Sequence, residues 1–143
     1  MMNSLYALVY TSQAIQKLDE TALIEIFSTS RKNNTSDEIT GFLIYREGYF
    51  LQLLEGPRQK VRQCFERIQK DRRHRSIVLQ GEAYQAQRMM PSWSMGQVTL
   101  KPGQSSSDRI IELFELARSN EIYENPDSLM SLVRIFSRDA VTY

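Results

Sequence analysis

Residues 49–56, YFLQLLEG, constrain the fold more than any other stretch of the chain. In an extended strand alternate side chains point to opposite faces, so Phe50, Gln52 and Leu54 share one face and Tyr49, Leu51 and Leu53 the other. Both faces are apolar, the pattern of a strand covered on both sides. Gln52 breaks that pattern: it is a primary amide among hydrophobes and needs up to four hydrogen-bond partners. Left unsatisfied in a dry layer, the amide would cost roughly 1–3 kcal/mol. The chain must bring it a partner, either another side chain or a bound molecule.

Residues 5–12 predict a second strand of the same kind. Tyr6, Leu8, Tyr10 and Ser12 fall on one face and Leu5, Ala7 and Val9 on the other, again apolar on both sides. Asp19 is a candidate N-cap for the helix that follows, with Glu20 and Glu25 favourably near its start. Leu23, Ile26, Phe27, Ser30 and Asn34 follow one helical face. That stripe begins apolar and ends polar. Its spacing favours a helix exit, with Asn33 and Asn34 as C-terminal turn formers. Residues 40–45 and 49–55 flank the short turn Arg46-Glu47-Gly48, a hairpin signal. Pro57 suits the first position of a second helix, whose buried stripe is Val61, Cys64, Phe65 and Ile68. Cys64 then reads as a small core residue rather than a nucleophile.

Residues 76–80 begin a fourth strand that can run on to Tyr84, and residues 92–98 a short fifth one. After a Ser-rich loop, Ile110, Leu113, Phe114 and Ala117 mark a third helix. Asn125 and Pro126 open a fourth, with Leu129, Leu132, Val133 and Phe136 as its stripe. The order β-α-β-β-α-β predicts an α+β, ferredoxin-like sandwich with a fifth strand and two additional C-terminal helices. The first and third strands are expected as parallel neighbours at the sheet centre. Tyr10 and Gln52 would then lie side by side under the helices.

At 143 residues the chain can bury a core without a staple. Its 18 basic and 17 acidic residues leave a formal net charge of +1, which argues against nucleic acid as the main partner. Cys64 is the only cysteine and His74 the only histidine, which excludes an internal disulfide and any Cys-rich zinc site and removes most histidine-based metal sites. The first residues lack a basic stretch followed by an apolar run, and no segment approaches the ~20 apolar residues of a membrane span, so a cytoplasmic location is expected. Enzymatic chemistry is hard to assemble. Ser12 lacks an oriented histidine, Glu47 and Glu55 form no acid/base pair, and there is no P-loop or dinucleotide fingerprint. An acyl-phosphate hydrolase of this fold would need an anion-cradling loop with an arginine near the first strand, and residues 10–14 offer none.

What converges instead is a polar set in one layer: Tyr10, Ser12, Ser30, Asn34 and Gln52. Five such groups between two helices point to a planar ligand with several donors and acceptors. The basic run Arg72-Arg73-His74-Arg75 could meet a phosphate-bearing tail, or could equally be a solvated loop.

These residues occur together in a recognisable order: Tyr10-Thr11-Ser12, Asn33-Asn34 before Ile39-Thr40-Gly41, residues 50–56, Asp71-Arg72-Arg73-His74 and Trp93-Ser94-Met95. Over residues 4–100 the chain resembles the BLUF domain, a blue-light sensor that uses FAD. The resemblance implies a flavin between the two helices, bound by Ser12, Ile26, Ser30, Asn33, Asn34, Phe50, Gln52, Asp71, Arg73 and His74. By the same resemblance, Tyr10 gives an electron and then a proton to the excited flavin. Gln52 responds by rotating or tautomerising its amide, and Trp93 and Met95 relay the new bonding pattern outward. Asn33 stands where some members carry histidine, and Gly96 where a bulkier residue is common. Residues 1–100 would form the sensor and residues 101–143 a helical extension packed on it, as in short stand-alone members. Output would pass to a protein partner or through self-association as a homo-oligomer. From the residues alone a second class stays open, a non-photoactive ligand-binding or oligomerising regulatory domain of the same fold.

Overall fold

Strand β1 (Leu5–Ala14) is the axis of the molecule, with seven consecutive buried residues from Tyr6 to Ser12. The computed structural model describes residues 5–46, 48–89 and 96–97. After β1 come α1 (Glu20–Ser36), β2 (Thr40–Arg46), β3 (Tyr49–Pro57), α2 (Arg58–Gln69), β4 (His74–Gln85) and the two-residue β5 (Gly96–Gln97). They form a single sheet in the order β4-β1-β3-β2-β5. The predicted α+β, ferredoxin-like arrangement is therefore present, with β5 added parallel to β2. The two C-terminal helices expected beyond residue 100 lie outside the described residues.

One expectation is corrected. β1 and β3 are neighbours at the sheet centre, but they run antiparallel, with Tyr10 directly opposite Gln52. Side-chain alternation assigns faces whatever the strand direction, so the adjacency survives the correction. β2 and β3 join as the predicted hairpin, antiparallel from Arg46↔Tyr49 to Thr40↔Glu55.

Both helices cover one face of the sheet. Tyr6, Leu8, Tyr10, Phe50 and Leu54 pack there with Phe27 of α1 and with Val61 and Cys64 of α2. The opposite face is equally dry: Ala7, Val9, Phe42, Ile44, Leu51 and Leu53 are all 0% exposed. Glu55, also fully buried, points away from Gln52 as expected. Its carboxylate accepts from Thr40 Oγ1, Gln85 Nε2 and the Met89 amide at 3.1, 2.8 and 2.7 Å. Its role there is to tie the end of β4 to the sheet.

Three boundaries differ from their sequence expectations. Asp19 caps α1 through Oδ1, which accepts from the Ala22 amide at 2.8 Å, but the helix does not exit at Asn33 and Asn34. It continues to Ser36 with Asp37 as C-cap. Pro57 occupies the N-cap of α2 rather than its first turn, with ψ at 133°. β4 starts at His74, so the second half of the basic run is strand, not loop.

Candidate functional site

The local irregularities of the sheet gather where the buried polar groups are. Against β4, the register of β1 shifts between Val9 and Tyr10 and again between Thr11 and Gln13. Such bulges twist a strand and re-aim its side chains. Between them Tyr10 projects toward the helices, 3% exposed, and its hydroxyl donates to Gln52 Oε1 on β3. Gln52 is 4% exposed. Burial, with smaller contributions from the nearby Cys64 and Asp71, pushes the Tyr10 phenol far above its usual range. It therefore stays a protonated donor.

Above this pair a cleft of about 190 Å³ opens between α1 and α2. Ile26, Ser30, Asn33 and Asn34 of α1, Phe50 and Gln52 of β3, and Asp71, Arg73 and His74 after α2 all line it, together with Tyr10. Of the residues expected to hold a ligand, only Ser12 stands behind the wall. Its hydroxyl lies 2.8 Å from His74 Nδ1. His74 Nε2 is 2.7 Å from the Ile68 carbonyl. A carbonyl only accepts, so Nε2 carries the proton, and in the neutral ring Nδ1 accepts from Ser12. His74 thus straps the end of β1 to the last turn of α2 and presents only its ring to the cleft. That ring lies edge-on to Tyr10 and Phe50, with centroids 6.5 and 6.4 Å apart.

At the rim Arg73 forks onto Asp71, with Nε to Oδ1 at 3.0 Å and Nη2 to Oδ2 at 2.6 Å. The guanidinium holds the Asp71 carboxyl below its ordinary range. Across the cleft, Arg67 of α2 pairs with Asp37 at the end of α1 at 2.9 Å.

One group in the wall is unsatisfied. Asn34 is 2% exposed, and its Nδ2 is buried without a hydrogen-bond partner among the described residues. Its Oδ1 faces Cys64 Sγ at 3.9 Å. A buried amide N–H₂ left unpaired costs roughly 1–3 kcal/mol, so Nδ2 is the group of this wall that still needs an acceptor.

Residues 5–96 match the family described as BLUF, sensors of blue-light using FAD. The chain belongs to the BLUF family. The beta subunit of photoactivated adenylate cyclase from Euglena gracilis is 34% identical over 97 residues, which are 67% of this chain and 11% of that protein. This chain therefore spans only about a tenth of the curated cyclase. Among solved structures, the dark state of BlrB, a BLUF protein, has a TM-score of 0.76 and 28% identity, covering 98% of this chain and 100% of that one. The photo-activated state of BlsA has a TM-score of 0.79 and 26% identity, covering 97% and 98%. A BLUF domain is a light sensor and not an enzyme.

The cleft fits the flavin that the family uses. A flavin ring is planar and carries carbonyl and nitrogen acceptors along one edge, which suits the unsatisfied Asn34 Nδ2. Ile26, Leu43, Phe50 and Ile68 give the cleft apolar walls. Thr29, Leu43, Cys64, Arg67 and Ile68 also line the cleft, and none was expected as a contact. Thr29 continues the helical line of Ile26 by three residues, a signal that could have found it. Arg67 lies off the buried stripe of α2, and its stem position in the sequence does not reveal how far the guanidinium reaches. Trp93 and Met95 lie outside the described residues. Among those that are described, no cluster could hold a metal ion, and no helix is long and apolar enough to cross a membrane.

Proposed function

We propose that this chain is a blue-light photoreceptor that binds FAD non-covalently between α1 and α2 and signals by rearranging the hydrogen bonds of Gln52. The observation that carries the reading is the Tyr10 hydroxyl donating to Gln52 Oε1 in the dry layer beneath the cleft. When bound, the flavin supplies a blue-absorbing chromophore whose excited state accepts an electron. Everything else falls to the chain. Asn34 offers Nδ2 to a ring acceptor, while Ile26, Ser30, Asn33 and Phe50 hold the ring in place. Asp71, Arg73 and His74 bound its far side and the start of its tail, with Ser12 acting through His74.

Tyr10 is the electron source, and the proton on its Oη has a ready path along the bond to Gln52 Oε1. Electron and proton both return to Tyr10, so atoms and charge balance over the cycle. What persists is the orientation or tautomer of the Gln52 amide, an end group with two hydrogen-bonding patterns of nearly equal shape. Trp93 and Met95 carry that change outward. Residues 1–100 act as the sensor and residues 101–143 as an extension for output, through a protein partner or a homo-oligomer. The relatives named as cyclase subunits support output to a partner, and the near-zero charge disfavours nucleic acid. A single thiol, Cys64, suits a reducing cytoplasm.

Purified protein should be yellow, and blue light should shift its flavin spectrum slightly to the red, with recovery in the dark. Mass analysis of the extracted flavin should give FAD. A colourless protein that FAD cannot reconstitute would remove the photoreceptor reading in favour of a light-insensitive regulatory domain of the same fold.

A further inference from the structure

The orientation of the Asn34 amide is set by a neighbour in the cleft wall, Cys64. An asparagine side chain ends in an acceptor and a donor of nearly the same shape, and a half-turn exchanges them. Which end reaches the cleft depends on what the other end meets. Here the other end meets Cys64, whose Sγ is 3.9 Å from Oδ1, while Nδ2 is the end left without a partner. A thiol is a donor only while protonated. Burial raises Cys64 above the usual thiol range and outweighs the Arg67 guanidinium beside it, so the sulfur keeps its proton. With the amide reversed, the S–H would lose its acceptor and the N–H₂ would face a weak sulfur acceptor.

We propose that Cys64 is a positioning residue: its S–H selects the orientation of Asn34, so that the cleft receives a donor rather than an acceptor. This rests on the flavin reading for its consequence, since a ring carbonyl is the acceptor that Nδ2 would meet. The orientation itself is a property of the protein. It extends the first reading of Cys64, in which the residue fills core volume and nothing more. One contact through a weak thiol donor is a small bias. It acts, however, on a residue 2% exposed, where no water competes for the amide.

Because Cys64 is the only cysteine, the infrared S–H stretch of the full-length protein is a single-residue probe. In the dark state that band should move to higher frequency in Asn34→Ala, as the thiol loses its acceptor. Cys64→Val and Cys64→Thr have matched shapes and differ in the hydroxyl donor. FAD should bind Cys64→Val roughly three- to tenfold more weakly than wild type, the worth of one neutral hydrogen bond, and Cys64→Thr should recover most of that loss. Far-UV circular dichroism checks that each variant folds. An S–H band unmoved by Asn34→Ala overturns the proposal, as does wild-type affinity in Cys64→Val. If wild type binds no flavin while the band still moves with Asn34, the photoreceptor reading fails and the Cys64–Asn34 pairing stands.

Discussion

Tyr10 and Gln52 show how one pair of side chains can be both core and mechanism. Each is almost fully buried and each satisfies the other. Tyr10→Phe keeps the ring and removes only the hydroxyl. Flavin should still bind, and the light-induced red shift should be lost; difference spectra under blue light check this. A full shift in that variant would exclude Tyr10 as the donor. The same phenol makes alkaline pH a test of packing. Its folded-state pKa lies above the ordinary 10.0, so below that value the phenol is neutral in both folded and unfolded chains and its contribution is fully present. Above it the unfolded chain gains by ionising while the folded one does not, and stability is lost as pH rises toward the folded value. Denaturant midpoints measured on either side of pH 10 should fall, and Tyr10→Phe should flatten that part of the decline. At this scale much was legible. Parity and the element order together put Tyr10 and Gln52 in one layer, because neither needs the relative direction of the strands. Nothing in the sequence could show that His74 spends both ring nitrogens on Ser12 and Ile68, since those contacts depend on where α2 ends.

At the scale of elements, the order of strands and helices was readable and their ends were not. α1 was expected to exit at Asn33 and Asn34 because a polar end to an apolar stripe looks the same whether it faces water or a ligand cleft. The helix continues past both and turns Asn34 inward. β4 was expected to start after the basic run, yet it opens at His74, because an edge strand can carry polar residues on its open side. The closest constraint between elements lies at Gly41, on β2. It has φ at 152°, and a Cβ there would sit 2.0 Å from the Leu53 carbonyl oxygen on β3. Gly41→Ala should therefore destabilise the domain by on the order of 3 kcal/mol, combining backbone strain with overpacking. A lowered urea midpoint with an unchanged slope is the expected result. A midpoint within error of wild type would show that the hairpin relaxes around the methyl group.

For the whole molecule, the decisive fact is that the sheet is dry on both faces. The run of apolar residues in β1 and β3 announced this, while the element order β-α-β-β-α-β is why a ferredoxin-like sandwich could be expected. The relative direction of β1 and β3 was misread because a strand covered on both sides has the same residue pattern in either orientation. Their antiparallel pairing sets Tyr10 and Gln52 on opposite rungs of one ladder at the centre of the sheet. Central strands open only when the entire domain opens. No fraying loop or loose terminus can separate the two residues, so they stay side by side as long as the fold does, whichever way the Gln52 amide is turned. The colour change would then double as a gauge of foldedness. In urea, loss of the light response and loss of secondary structure should share one midpoint. A response that vanished earlier would mean the ladder melts ahead of the molecule around it.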